Sequence, residues 1–340
     1  MKLDRIEKAR PRIYAERLDL APAEGCEAAF PADFGRRFIV FGDAEEEFDW
    51  GAPLSRESHS TDAFAALPVA TRFFGEHGVV PTYVCDWPVV ANPASAEALR
   101  GMAEVEACDV GAHLHPWVNP PHQEEVSPAN SFAGALPEPL EAAKLRLLTE
   151  KIVALTGRRP IAYRAGRYGV GRNTARLLQE LGYRLDASVR ARFDYSGEGG
   201  PDFTLYPIAP YWVGEDLLEL PLTTCLAGAF GRRWPELTRS DRLRGPLARS
   251  GLLNRIPLTP EGVPLAEAKR AVETLLDKGH FLFSLSFHTP SVVPGHTPYV
   301  RDAEDLRVFW AWWDGLLHLF ARHNVTPVRS GDIYAAAASA

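Results

Sequence analysis

Short apolar runs that end abruptly in polar residues alternate with helical segments along most of this 340-residue chain. The first run, 37–41, stops just before Asp43, and similar runs follow at 79–84 and 108–113 with a helical segment before each. Strand, helix and strand in succession are typical of right-handed βαβ units built around a parallel sheet. In such a sheet the functional side chains gather where the strands end. The pattern therefore predicts an α/β barrel-like fold with a site at one rim.

The alternation continues to the end of the chain. Further strands are predicted at 161–164, 183–188, 217–221, 281–288 and 325–328, and helices at 137–156, 173–181, 266–278 and 305–323. We divide the chain into an N-terminal leader at 1–35, a single barrel domain at 36–330 and a C-terminal tail at 331–340, frayed from Ala335 onwards. Residues 223–264 lack a clear period, and we interpret them as an irregular insertion that could form a wall of the site.

Charge and hydropathy exclude several classes of partner. The net charge of -7 argues against a nucleic-acid partner, which would favour clustered Lys and Arg. No apolar run approaches the roughly 20 residues that a membrane-spanning helix needs, and residues 1–5 lack the apolar core of a signal peptide. The sequence thus predicts a cytoplasmic protein without a membrane span, and it does not indicate the oligomeric state.

Chemically useful side chains lie at five predicted strand ends. In order these are Asp43 with Glu45, His113 with His115, Arg164, Asp186 and His288. Two histidines two residues apart on a strand point the same way. With one carboxylate they make a three-ligand hydrolytic metal site that keeps an open position. Each residue also has an ordinary interpretation, as a loop acid, an ion pair, a helix cap or a core histidine, but convergence at one sheet edge favours a shared site.

The ordered set resembles the motifs of the polysaccharide deacetylase family, the NodB-homology fold of carbohydrate esterases, and in particular its WalW-type branch. The segments that carry the resemblance are Gly42–Trp50, Val110–Pro116, Tyr163–Gly169, Leu185–Arg190 and Leu285–His288. The resemblance covers roughly residues 36 to 330. It implies a single distorted (β/α)7 TIM-like barrel.

The resemblance also implies roles for the strand-end residues. Asp43 would be the catalytic base and Arg164 would orient it, while Asp186 would tune His288 as the general acid. Glu45, His113 and His115 would bind a divalent metal, with Zn²⁺ as the first choice. The implied reaction is removal of an N-acetyl group from a glycan or sugar intermediate.

Two departures from the family pattern keep alternatives open. The second motif usually separates its histidines by four positions, whereas position 117 here is Trp, so His122 in the following loop is a second candidate ligand. Ala44 replaces the second Asp of the usual first motif. The alternatives are a metal-free C–N hydrolase of the same fold and a carbohydrate-binding barrel without turnover.

Aromatic residues near the same strand ends suit a sugar substrate. Trp50, Trp87, Trp117 and Tyr168 could stack on pyranose faces. Equally, large aromatics could simply fill a barrel rim. The Pro-rich loop 289–299, which contains His296, follows the proposed acid and could select the substrate.

Overall fold

The computed structural model describes residues 13–227 and 254–340. The centre of the predicted insertion and the first part of the leader lie outside these ranges. The described strands are β1 (Arg37–Ala44), β2 (Thr82–Cys85), β3 (Asp109–Leu114), β4 (Ala162–Ala165), β5 (Leu185–Asp186), β6 (Tyr211–Val213), β7 (Leu217–Glu219), β8 (Thr224–Ala227), β9 (Asn254–Pro257), β10 (Leu282–His288) and β11 (Thr326–Pro327).

A nine-stranded sheet forms the centre of the described structure, in the order β10-β1-β2-β3-β4-β5-β7-β6, with β11 also paired to β1. Every pairing is parallel except that of β6 with β7. The sheet curls into a half-barrel, which confirms the predicted distorted barrel.

Irregular backbone spans the open side of this half-barrel. Thr223 donates its backbone N–H to the Ser284 carbonyl on β10 (3.1 Å), and it accepts one from Leu258 (3.0 Å). Ser286 in turn donates to the Leu258 carbonyl (3.2 Å). The ends of the predicted insertion therefore connect the two sides of the barrel, and β8 and β9 within it form an antiparallel pair that the sequence did not predict.

Helices cover the outside of the sheet. They are α1 (Leu67–Glu76), α2 (Trp87–Ala91), α3 (Pro93–Glu104), α4 (Glu138–Thr156), α5 (Thr174–Glu180), α6 (Leu265–Asp277), α7 (Ala303–Arg322) and α8 (Ser330–Ser339). Local chemistry fixes several ends. Asp302 caps α7 by accepting the backbone N–H groups of Glu304 and Asp305, and Gly157 ends α4 in the left-handed conformation. None of the described helices is both long enough and apolar enough to cross a bilayer.

The core between α7 and the sheet is aromatic. Trp313 of α7 contacts Phe74 of α1 and Phe287 of β10, with ring centroids 5.0 and 5.5 Å apart. All three side chains are fully buried, and each such burial contributes roughly 2–3 kcal/mol to folding. This packing holds β10, which carries His288, against β1.

Both ends of the described chain are ordered by packing. In the leader, Ala15 donates its N–H to the Trp212 carbonyl (2.8 Å), and Trp212 donates to the Cys26 carbonyl (3.0 Å), so this segment covers the β6 edge. The expectation of a frayed tail is wrong, because α8 buries Ile333 and Ala337 against the sheet. Tertiary contact stabilises this Ala-rich helix, which would be marginal alone.

Candidate active site

Strand register brings five of the predicted catalytic and metal-binding residues into one cavity of about 660 Å³ at the carboxyl end of the sheet. Asp43 on β1 is the direct neighbour of His288 on β10, and His113 on β3 is the neighbour of Arg164 on β4. Asp43, Glu45, His113, His115 and His288 all line this cavity.

Glu45, His113 and His115 form a buried group that we name the three-ligand cluster. Glu45 Oε2 lies 3.5 Å from the Nε2 atom of each histidine. The other ring nitrogens are occupied, since His113 Nδ1 donates to the Arg164 carbonyl (2.9 Å) and His115 Nδ1 donates to Glu46 Oε2 (2.7 Å). These bonds set the tautomers that direct both Nε2 lone pairs at Glu45, as second-sphere partners of metal-binding histidines do.

The electrostatics of the three-ligand cluster suit a divalent cation. Burial lowers the pKa of His113, and it lowers the pKa of His115 to about 4, so both imidazoles are neutral. Burial raises the pKa of Glu45 to about 7. Glu45 Oε1 is buried and has no hydrogen-bond partner within the described residues. Two neutral imidazoles and a carboxylate whose charged form is destabilised by burial are suitable ligands for a cation such as Zn²⁺.

Glu46 and Asp86 support the cluster, and the sequence analysis missed both roles. The Glu46 backbone N–H donates to Asp86 Oδ2 (2.7 Å), while Asp86 Oδ1 accepts from the Val89 N–H (2.9 Å) at the start of α2. Strand alternation in the sequence could have indicated a separate role for Glu46, because it places that side chain on the opposite face from Asp43 and Glu45.

Asp43 forms a buried ion pair with Arg164. Arg164 Nη1 lies 2.6 Å from Asp43 Oδ1, and Arg164 Nε donates to the Ala187 carbonyl (2.9 Å). Burial alone would raise the pKa of Asp43, but the charges of Arg164 and His288 and the hydrogen bond from Arg164 outweigh it and hold that pKa below its usual value. The carboxylate stays ionised and can accept a proton.

His288 is held by Glu261, a residue that the sequence analysis did not select. His288 Nδ1 lies 2.7 Å from Glu261 Oε2, and the His288 backbone N–H donates to Oε1 (3.0 Å). Ser291 Oγ also donates to Oε1 (2.7 Å). Burial would lower the pKa of His288, but Glu261, Glu45 and Asp43 raise it to about 10. The imidazole is therefore protonated at neutral pH.

The predicted contact between Asp186 and His288 is absent, and Glu261 takes that place. Asp186 is paired in register with Glu219 on β7, and its Oδ1 accepts from Ser188 Oγ (2.6 Å). Burial raises the pKa of Asp186 and of Glu219, and the nearby Asp186 charge raises that of Glu219 further. The two carboxyl groups form a buried pair beside Arg164.

Solved structures with the same fold are known, although no protein-family model and no curated protein matches this chain. A probable polysaccharide deacetylase from Pseudomonas aeruginosa PAO1 aligns at 15% identity and TM-score 0.50, covering 88% of each chain. This chain has the same fold as that structure. The structure titled Puue allantoinase aligns at 14% identity and TM-score 0.51, again with 88% of each chain covered. A putative glycoside hydrolase/deacetylase from Parabacteroides distasonis aligns at 13% identity and TM-score 0.53, covering 86% of this chain and 69% of the other.

Three of the predicted stacking residues line the cavity. Trp50 stands edge-on to His288, with centroids 4.9 Å apart, and is 38% exposed. Trp117 is buried and stacks on His115 at 4.3 Å and 22°. Tyr168 stacks on Tyr195, which also lines the cavity. Trp50 and Tyr168 can meet a substrate, whereas Trp117 mainly supports a ligand.

Other predicted residues lie outside this cavity. Trp87 is the first residue of α2 and packs on the core. His296 pairs with Glu47 (3.0 Å) in a shallower depression beside Trp50. His122 is exposed and outside the three-ligand cluster, so it does not replace His115.

Proposed function

We propose that this protein is a metal-dependent hydrolase that removes an N-acetyl group from a glycan or a sugar intermediate. One observation carries the proposal. Asp43 and His288 are direct neighbours on adjacent strands, and they line the same cavity as the three-ligand cluster. An ionised carboxylate and a protonated imidazole next to a metal-binding group are the parts that amide hydrolysis requires. The WalW-type branch and the cytoplasmic location stay predictions from the sequence.

A divalent cation fits the three-ligand cluster, and we propose Zn²⁺ because the donors are two imidazoles and one carboxylate. When bound, the cation would supply Lewis-acid polarisation of the amide and acidify water. Glu46 and the Arg164 carbonyl would keep the two imidazoles in the binding tautomer.

Asp43 would act as the general base. Arg164 holds its Oδ1, so Oδ2 is left to take a proton from the attacking water. The resulting hydroxide adds to the acyl carbon. After the products leave, Asp43 releases its proton to solvent and His288 regains one from solvent.

His288 would act as the general acid. Its Nδ1 is committed to Glu261, which leaves the Nε2 proton for the leaving nitrogen. When the C–N bond breaks, that nitrogen receives the proton, and the products are acetate and a free amine. Since His288 lines the same cavity as Asp43, one substrate can reach both groups.

The deciding experiment measures metal content and acetate release together. Elemental analysis of the purified protein should find about one equivalent of metal, which His113→Ala and His115→Ala should lose and His122→Ala should keep. Acetate release from N-acetylated sugars should fall by roughly 10²–10⁴ in Asp43→Asn and His288→Ala. Circular dichroism of each variant checks that it is folded.

Two results would favour the alternatives. Acetate release that survives complete metal removal would support a metal-free C–N hydrolase. Sugar binding without acetate release, even after reconstitution with Zn²⁺, would support a binding barrel.

A further inference from the structure

The wall of the cavity carries a guanidinium with no carboxylate partner among the described residues. Arg190 lines the cavity, and within residues 13–227 and 254–340 no Asp or Glu forms a salt bridge with it. Its Nε is buried and has no hydrogen-bond partner in the described part of the chain. This residue followed the Asp186 motif in the sequence but was given no role there.

Other charged groups in the same cavity have partners. Asp43 is paired with Arg164, and His288 with Glu261. Arg167 is paired with Glu198 and also bonds Ser131. Burying most of a cation without a counter-charge lowers the stability of the folded protein. Folding therefore does not explain why Arg190 lies at this position.

Aromatic rings hold the Arg190 guanidinium in place. Its Cζ lies 4.1 Å from the centroid of Phe193 and 5.4 Å from that of Tyr168. Nη1 donates to the Tyr195 hydroxyl (3.2 Å). Contacts with these rings hold the guanidinium without neutralising its charge, and an arginine held in this way is suited to binding an anion.

The backbone beneath this wall is strained. Arg167 and Tyr168 both adopt left-handed conformations, with φ of 52° and 60°. Each costs about 1 kcal/mol or more for a residue other than glycine. Strain of this kind concentrates at binding sites, and here it places Tyr168 against Arg190.

We infer that the substrate carries an anionic group and that Arg190, with the Tyr195 hydroxyl, binds it. The inference rests on the proposed function, since it specifies which N-acetylated compounds the cavity accepts. Carboxylate, sulfate and phosphate groups all offer oxygens to a guanidinium, so the inference covers all three. The preferred substrates are then acidic N-acetyl sugars rather than neutral ones.

The test uses matched sugars with the metal-loaded protein. N-acetylglucosamine is compared with its 6-phosphate, its 6-sulfate, N-acetylglucosaminuronic acid and N-acetylmuramic acid. The carboxylate of the last compound belongs to the substituent on O3. We expect kcat/KM for at least one acidic sugar to exceed the neutral value by roughly 10- to 100-fold. The acidic sugar that is preferred identifies the anion.

Arg190→Gln should bring that acid-to-neutral ratio close to one, and Arg190→Lys should leave an intermediate ratio. Arg100→Gln is the matched control, because it removes the same charge from an exposed position on α3. It should keep the wild-type ratio. Equal kcat/KM for acidic and neutral sugars in the wild type, or a ratio unchanged by Arg190→Gln in a folded protein, would overturn the inference.

Binding separates failure of this inference from failure of the proposed function. Titration calorimetry with Asp43→Asn, with and without Arg190→Gln, gives Kd for the same sugars without turnover. Acid-selective binding that needs Arg190, in a protein that releases no acetate, would retain the anion site and reject the deacetylase. Equal Kd values for all the sugars would reject the anion site.

Discussion

Glu261 Oε2 lies 2.7 Å from His288 Nδ1, and Glu261 Oε1 accepts the backbone N–H of the same histidine. One carboxylate therefore fixes the ring orientation, the tautomer and the charge of His288. Glu261 acts through His288, and we regard it as a positioning residue.

Glu261→Gln should lower the pKa of His288 from about 10 towards the ordinary value of about 6.5, because it removes the nearest negative charge. A general acid must be protonated, so the basic limb of the kcat/KM profile should move to lower pH. At pH 8 we expect a loss of roughly tenfold or more. The control is Glu273→Gln on the exposed face of α6. A basic limb at the wild-type pH in a folded Glu261→Gln protein would contradict the assignment.

Arg164→Met should reduce the free energy of unfolding by about 3–5 kcal/mol, since it leaves the buried Asp43 carboxylate without its counter-charge. Urea denaturation measures the loss. Arg176→Met, at an exposed ion pair on α5, should change stability by less than about 1 kcal/mol. Adding Asp43→Asn to Arg164→Met should restore part of the stability, and an additive double variant would show that the two charges are not coupled.

Glu46→Gln should weaken metal binding by about 10- to 100-fold, because His115 loses the charged acceptor that makes its ring more basic. Competition with a chromophoric chelator measures the Kd for Zn²⁺. Glu47→Gln is a control one residue away, since Glu47 pairs with His296 outside the three-ligand cluster. Equal Zn²⁺ affinities in the two variants would show that Glu46 does not strengthen metal binding through His115.

Glu141→Gln should stabilise the protein at neutral and alkaline pH. Glu141 on α4 is buried, it accepts a bond from Thr174, and burial raises its pKa from 4.5 to about 7. A raised carboxyl pKa means that the folded state binds more protons than the unfolded state, so wild-type stability declines from about pH 4.5 to about pH 7. Glutamine has no such penalty, and its advantage should reach about 3 kcal/mol above pH 7.

Urea denaturation across pH 4 to 8 checks this prediction, with the exposed Glu138→Gln as the matched control. A stability difference between Glu141→Gln and the wild type that does not grow with pH would show that Glu141 ionises normally in the folded protein.

Much of the architecture was predictable because strands and helices leave local patterns. The predicted strand 281–288 is β10 (Leu282–His288), and the predicted helix 137–156 is α4 (Glu138–Thr156). The order of strand-end residues also placed Asp43, His113 and His288 in one cavity, since parallel strands share a carboxyl edge. The short pair β8 and β9 and the helix α8 were missed because non-local packing, rather than periodicity, stabilises them.

The sequence by itself determined the alternation of strands and helices and which side chains follow each strand, because both depend on neighbours along the chain. Only the tertiary structure decided the partners. It paired His288 with Glu261 rather than Asp186, gave His115 its bond to Glu46 across 69 positions, and left Arg190 without a carboxylate among the described residues. These contacts depend on strand order, register and barrel curvature, and the side chains that meet there are separated by chain lengths over which sequence periodicity carries no information.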